Sequence, residues 1–195
     1  MYIGICGKQG SGKSSLSKYI LDRYPNYLYI DIDKIGHEVN DYPEVQEELV
    51  KAFGDILTDN KVDRKKLGRV VFNNKNNMDL LEEITWKYME KRIDEIIGNR
   101  ENVIFDWLLL PKTKYFKQCN LKVLLDIDRD IRLERITKRD NITEEYFNIR
   151  ENSSYQYTNE DFDIILKDNN YVLFNDLDNL FLHKNYWHYC YFWYT

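Results

Sequence analysis

The run Gly7-Lys8-Gln9-Gly10-Ser11-Gly12-Lys13-Ser14 fits G-x-x-x-x-G-K-[ST] at every position. It constrains the fold more than any other feature of the chain, because the pattern works only between a strand and a helix. Tyr2 to Cys6 is a short apolar run that suits a buried strand, and Gly7 ends it. After the loop, Leu16, Tyr19, Ile20 and Tyr24 form a helical stripe that Pro25-Asn26 stops. The glycines let successive backbone N–H groups curl around phosphate oxygens, and the helix N-terminus adds partial positive charge. In that arrangement Lys13 reaches the β- and γ-phosphates of a nucleoside triphosphate, and Ser14 binds Mg²⁺.

The rest of the chain alternates strands with helices. Strands are predicted at Tyr27–Ile30, Asn102–Leu110, Leu121–Ile127 and Asp163–Leu166, with a further one at Tyr171–Phe174. Helices are predicted from Ser14 to Arg23, from Pro43 to Phe53, and from an Asp63 cap to Phe72. A long one ends at Gly98, and others cover Asp130–Lys138 and Thr143 to about Tyr155. Gly54 to Lys61 reads as a loop or hairpin. This order implies an α/β fold with a mainly parallel sheet of about five strands, covered by helices on both faces. The stretch between the second and third strands is too long for one crossover and reads as a helical insertion.

A length of 195 residues allows one domain with a small inserted subdomain, and suits a small-molecule kinase better than a motor or translocase. A net charge of −5 argues against a dedicated duplex-DNA binder. Cys6, Cys119 and Cys190 have neither disulfide nor zinc spacing, and read as reduced thiols. His37, His183 and His188 show no ligand spacing. No signal peptide and no membrane span is recognised, so a cytoplasmic protein without a membrane partner is expected.

Two further places carry candidate chemistry. Asp33 follows the second strand, on the edge where open parallel sheets collect ligands. A carboxylate there can accept a proton from an acceptor hydroxyl, or serve as a strand-end or cap residue. Of Asp33 and Asp31, two residues earlier, one is expected to face the cleft and the other a helix layer. Arg132, Arg135 and Arg139 fall on one helix face. Such a face can stabilise a transferring phosphoryl group, or be solvated with Glu134 and Asp140 as partners.

These residues resemble the dephospho-coenzyme A kinase family from Tyr2 to about Asn170. Tyr29-Ile30-Asp31-Ile32-Asp33-Lys34-Ile35 is similar to the family's "IDAD" element. Phe53-Gly54, Ile56-Leu57 and the run from Val62 to Phe72 resemble its "FG…IL…LDRKKLGEIVF" stretch. Asp106 with Leu109-Leu110 resembles a "D-x-P-L-L" strand end, and Arg135 with Arg139-Asp140 an "R-x-x-x-R-D" lid start. The chain departs from the pattern at Thr85-Trp86, where the family has His-Pro, and at Leu108, Lys112 and Ser154. Leu166-Lys167-Asp168-Asn169 is only loosely similar to the "VIDNNG" loop near the adenine.

The resemblance implies a P-loop kinase core over 1–33, 101–138 and 161–185. It implies a helical insertion over 34–100 that binds coenzyme A, and a lid over 139–160, leaving an aromatic tail over 186–195. It implies transfer of the ATP γ-phosphoryl group to the ribose 3′-hydroxyl of dephospho-coenzyme A, with Mg²⁺. Lys13, Asp33 and Arg139 are the catalytic residues by this resemblance. Gly7, Gly10, Ser11, Gly12, Lys13, Ser14, Ser15 and Arg135 hold the nucleotide, and Ser14 the metal. A kinase for another small alcohol or nucleoside, and a non-catalytic nucleotide-binding relative, stay open at this point. The tail, with aromatic residues on both faces, suits either packing on its own domain or weak self-association, so a monomer or weak homo-oligomer is expected.

Overall fold

The structure is a computed structural model that describes residues 1–71 and 74–180. Phe72, the tail over 186–195, His183, His188 and Cys190 lie outside the described residues. The chain divides into two compact units. One comprises Met1–Ile30 with the chain from Asn99 onward, and the other is Asp31–Gly98.

In the first unit, β1 (Tyr2–Gly7) leads into α1 (Lys13–Leu21), and β2 (Leu28–Asp31) follows. In the second unit, α2 (Ile32–Val39) and α3 (Pro43–Phe53) precede a hairpin of β3 (Leu57–Thr58) and β4 (Lys61–Val62). Then come α4 (Arg64–Val71) and α5 (Lys75–Ile97). The chain returns to the first unit with β5 (Val103–Asp106), α6 (Lys114–Gln118), β6 (Leu121–Leu125), α7 (Arg129–Asp140), α8 (Glu144–Asn152) and β7 (Ile164–Leu166).

The five-stranded sheet has the order β2-β5-β1-β6-β7, with β1 parallel to both β5 and β6, and β6 parallel to β7. Strand alternation sends Ile3 and Ile5 to one face, where they join Leu16 and Ile20 of α1 in the core. On the other face, Phe105 of β5 stacks on Tyr115 of α6 with ring centroids 5.3 Å apart. Gly4 leaves room there for Cys119, since a Cβ at Gly4 would stand 2.9 Å from its Sγ. Both faces are therefore covered, as parallel strands require.

The second unit has its own core of Val45, Leu49, Ile56, Leu67, Val71 and Ile84. Pro43 opens α3, where its missing N–H costs nothing. Asp59 and Asn60 both take positive φ, the conformation a two-residue hairpin turn demands. Asp63 caps α4 by accepting from the N–H groups of Lys65 and Lys66. Asn74 caps α5 in the same way. Thr85-Trp86 lies in the middle of α5, which runs unbroken for 23 residues. A proline at that place would remove a helical hydrogen bond and kink the helix.

Several expectations differ from the structure. The apolar run Asn102–Leu110 is not all strand, because β5 stops at Asp106 and a 3₁₀ turn covers Leu110–Lys112. Pro111 opens that turn, since its fixed φ and missing N–H suit a helical start and not a ladder. Tyr171–Phe174 is not a strand, and Val172–Asn175 is a 3₁₀ turn. Local bonds drive it, with Asp168 Oδ1 accepting from Asn170 N–H and Asn170 Oδ1 from Val172 N–H. Finally, Asp33 follows β2 as expected, but in a helix. Asp31 accepts from Lys34 N–H and caps α2, so Asp33 stands in the first helical turn and strand alternation does not relate the pair.

Candidate active site

The phosphate loop is built by close packing around its glycines. A Cβ on Gly7 would stand 2.5 Å from Ser11 Oγ and 2.8 Å from the Leu125 carbonyl. Gly12, at φ +98°, is the N-cap of α1 and offers no side-chain cap to the helix. The N-terminal N–H groups of α1 thus face the place where an anion binds. Asn169 Nδ2 donates to the Ser11 carbonyl at 3.1 Å, and Tyr171 Oη to the Gly12 carbonyl at 3.3 Å, so the segment after β7 braces the loop.

A cleft opens over this loop, lined by Gly10, Gly12, Lys13, Ser14, Ser15, Arg135, Ile136 and Arg139. Seven of these eight residues are candidates from the sequence. Gly7 and Ser11 are not among the residues lining the cleft. Ser11 is fully buried and its hydroxyl has no hydrogen-bond partner among the described residues. Arg139 holds Asp140 with Nε and Oδ1 2.7 Å apart, which keeps the Asp140 carboxyl below its ordinary range.

Arg132 does not share the cleft with Arg135 and Arg139. Its guanidinium is buried, donating to the Ile127 carbonyl and to both oxygens of Glu151. Helical spacing places a Cα, and does not say where the end of a long side chain goes.

Asp106 also stands at this loop, and the sequence offers it only as a strand-end resemblance with no role attached. It ends β5 with 4% exposure. Its Oδ2 accepts from Ser14 Oγ at 3.0 Å and from Tyr29 Oη at 3.0 Å, and its Oδ1 lies 4.0 Å from Lys13 Nζ. The available signal was a wholly apolar strand closed by a carboxylate, on the sheet edge where ligands bind. Ser14 and Asp106 supply hard oxygen donors, the donor type Mg²⁺ takes. Among the described residues no group of three or more His, Cys, Asp or Glu side chains could hold a metal. Mg²⁺ in a phosphoryl-transfer site needs no such cage, because phosphates and water complete its shell.

Asp33 belongs to the second unit, exposed in the first turn of α2. His37 follows it one turn later. Burial, and then the Arg64 guanidinium, push the His37 imidazole below its ordinary range, against the pull of Asp33, Asp31 and Asp41. Its environment therefore favours the neutral ring.

A parallel sheet with a glycine-rich phosphate loop between its central strand and the next helix, and two arginines across the cleft, defines a P-loop kinase. Solved structures agree on the fold. A crystal structure from Thermus thermophilus superposes with a TM-score of 0.72 at 21% identity, covering 100% of this chain and 98% of that one. The dephospho-CoA kinase from Campylobacter jejuni gives 0.57 at 24% identity, covering 89% and 91%. Acinetobacter baumannii shikimate kinase gives 0.51 at 12%, covering 96% and 93%.

Sequence comparison narrows the class. The family model for dephospho-CoA kinase matches residues 1–177, and the chain belongs to that family. The Fusobacterium nucleatum dephospho-CoA kinase is 34% identical over 155 residues, 74% of this chain and 76% of that one. The Aquifex aeolicus dephospho-CoA kinase is 32% identical over 155 residues, 76% and 77% of the two chains. The chain is thus an ATP-dependent phosphotransferase, and dephospho-coenzyme A is its acceptor.

Proposed function

We propose that Lys13, Ser14 and the backbone of the phosphate loop hold the triphosphate of ATP, that Asp33 orients or deprotonates the ribose 3′-hydroxyl of dephospho-coenzyme A, and that Arg139, helped by Arg135, steadies the transferring group. The observation that carries this reading is the cleft itself. It gathers Lys13, Ser14, Arg135 and Arg139 around the N-terminus of α1.

The hydroxyl oxygen attacks the γ-phosphorus in line, its proton passes to Asp33, and the bond to the β-phosphate oxygen breaks to release ADP. Little covalent work is left to the protein, so positioning and charge dominate. Lys13 and the arginines offset the charge on the phosphate oxygens. Ser14 and Asp106 would hold Mg²⁺, and the ion would supply positive charge beside the triphosphate. In this reading the unit Asp31–Gly98 carries the acceptor and the segment 139–160 acts as the lid. The setting is the cytoplasm, in keeping with the two substrates.

The deciding experiment is an ADP-release assay on the full chain, with dephospho-coenzyme A beside a panel of nucleosides and sugars. Turnover is expected with dephospho-coenzyme A and at background with the panel. Turnover with a nucleoside alone would overturn the acceptor assignment.

A further inference from the structure

Four successive residues of the phosphate loop are held by side chains from 132–157. Gly7 donates its N–H to Tyr157 Oη at 3.1 Å. Lys8 Nζ donates to Glu151 Oε1 at 2.8 Å. Gln9 Nε2 donates to Asp140 Oδ2 at 3.3 Å, and the Gln9 carbonyl accepts from Arg132 Nη1 at 3.5 Å. The Gly10 carbonyl accepts from Arg135 Nη1 at 3.3 Å.

Glu151 is the hub of this grip. Besides Lys8, it binds Arg132 through two parallel bonds, Nη1 to Oε2 and Nη2 to Oε1, each 2.8 Å long. The Arg132 side chain is 5% exposed and that of Glu151 17%, so solvent screens this pair weakly. One carboxylate of α8 therefore joins a cation on the loop to a cation on α7, the helix that carries Arg135 and Arg139.

We propose that Glu151 is a positioning residue for the nucleotide: through Lys8 and Arg132 it fixes the phosphate loop against α7, so that the loop and the two cleft arginines are set before ATP arrives. Glu151 touches no substrate in this role. The inference rests on the nucleotide reading of the loop and arginines given above. Its physical basis is entropic. A loop with three glycines in eight residues has many conformations to lose, and ATP binds more tightly if they are lost beforehand. A planar guanidinium held at two points supplies a rigid anchor for that purpose.

The sign of one substitution separates positioning from simple charge. Glu151 is an anion beside a site for a polyanion. If it acted only through its field, Glu151→Gln would lower the KM for ATP. Positioning requires the opposite, a rise of about tenfold, the value of one charged hydrogen bond. The KM for dephospho-coenzyme A should stay within about twofold, because the acceptor makes no use of this link. A fall in the KM for ATP would overturn the proposal. So would a lowered melting midpoint with both KM values unchanged.

Because Arg132 is buried, Glu151→Gln can fail to fold. Lys8→Met then serves, since it leaves the Arg132–Glu151 pair in place. The readout is amide hydrogen exchange over residues 8–12 of the nucleotide-free enzyme, which loss of the positive charge alone would slow, because hydroxide catalyses the exchange. Exchange should speed up about tenfold, again one charged hydrogen bond. Unchanged exchange would overturn the proposal. Lys13→Ala is the control for the underlying reading. If it binds ATP normally, the nucleotide assignment fails. If it is crippled while Glu151→Gln is normal, only the role of Glu151 fails.

Discussion

Ser14 Oγ donates a hydrogen bond to Asp106 Oδ2 across 3.0 Å, which joins the end of the phosphate loop to the end of the neighbouring strand. The two oxygens stand side by side, with Lys13 Nζ 4.0 Å from the second oxygen of the carboxylate. Asp106→Asn keeps the shape and removes the charge. We expect kcat to fall about 10- to 100-fold and the half-saturating Mg²⁺ concentration to rise. Initial rates over a Mg²⁺ titration check this, and a wild-type Mg²⁺ dependence would contradict the assignment.

Asp33 tests the chemical step separately. It is exposed and caps no helix, since Asp31 has that task. Asp33→Ala should therefore fold normally and bind ATP with nearly unchanged affinity. Turnover should drop at least about 100-fold, as expected for loss of a general base. Calorimetric ATP titration together with the ADP-release assay measures both quantities. Normal turnover would remove Asp33 from the mechanism.

Gly12 tests the shape of the loop. At φ +98° an L side chain is strained, and a Cβ would also stand 2.6 Å from Asn169 Nδ2. Gly12→Ala should cost about 1–3 kcal/mol of stability, the usual range for such backbone strain. ATP binding should weaken as well, because the carbonyls of Ser11 and Gly12 are held by Asn169 and Tyr171. Urea unfolding and ATP titration of the variant are the measurements.

Glu151 makes stability depend on acid. Hydrogen bonds from Arg132, outweighing burial and joined by Lys8, lower its carboxyl from the ordinary 4.5 to about 2. The unfolded chain therefore takes up the proton more readily than the folded one. The stability from this group is complete above pH 4.5 and drains away as pH falls toward about 2. Denaturation curves across that acid range should show Glu151→Gln losing less stability than the wild type. Parallel pH profiles would show that the ion pair carries no linkage.

The two described thiols should be inert. Cys6 is fully buried and Cys119 nearly so. Burial pushes the Cys119 thiol up to about 12, and raises Cys6 as well, so neither offers thiolate near neutral pH. Peptide mapping after alkylation at pH 8 should find both unmodified in the native protein and modified in urea.

The elements legible in the sequence are those whose ends are marked by local chemistry. Pro43 opens α3, Asp63 caps α4 and Gly98 closes α5, and each of these ends was readable without the fold. The strand, loop and helix from Tyr2 to Leu21 were readable for the same reason, because their glycines and turn residues act on their nearest neighbours. The helix α2 was missed, since its cap Asp31 is also the last residue of β2 and reads as a strand end. The end of β5 was misjudged because Trp107 to Leu110 stay apolar after the ladder stops.

By itself, then, the sequence determined the phosphate loop, the alternation that yields a parallel sheet, and the residue types for phosphoryl transfer. All of these depend on spacing along the chain. The tertiary structure alone decided which polar groups meet. It brought Asp106 to Ser14 across 92 positions, and turned Arg132 away from the cleft toward Glu151 while Arg135 stayed at the loop. The reason is physical. A hydrogen bond acts over about 3 Å, and residues distant in sequence come that close only once strands pair and helices pack.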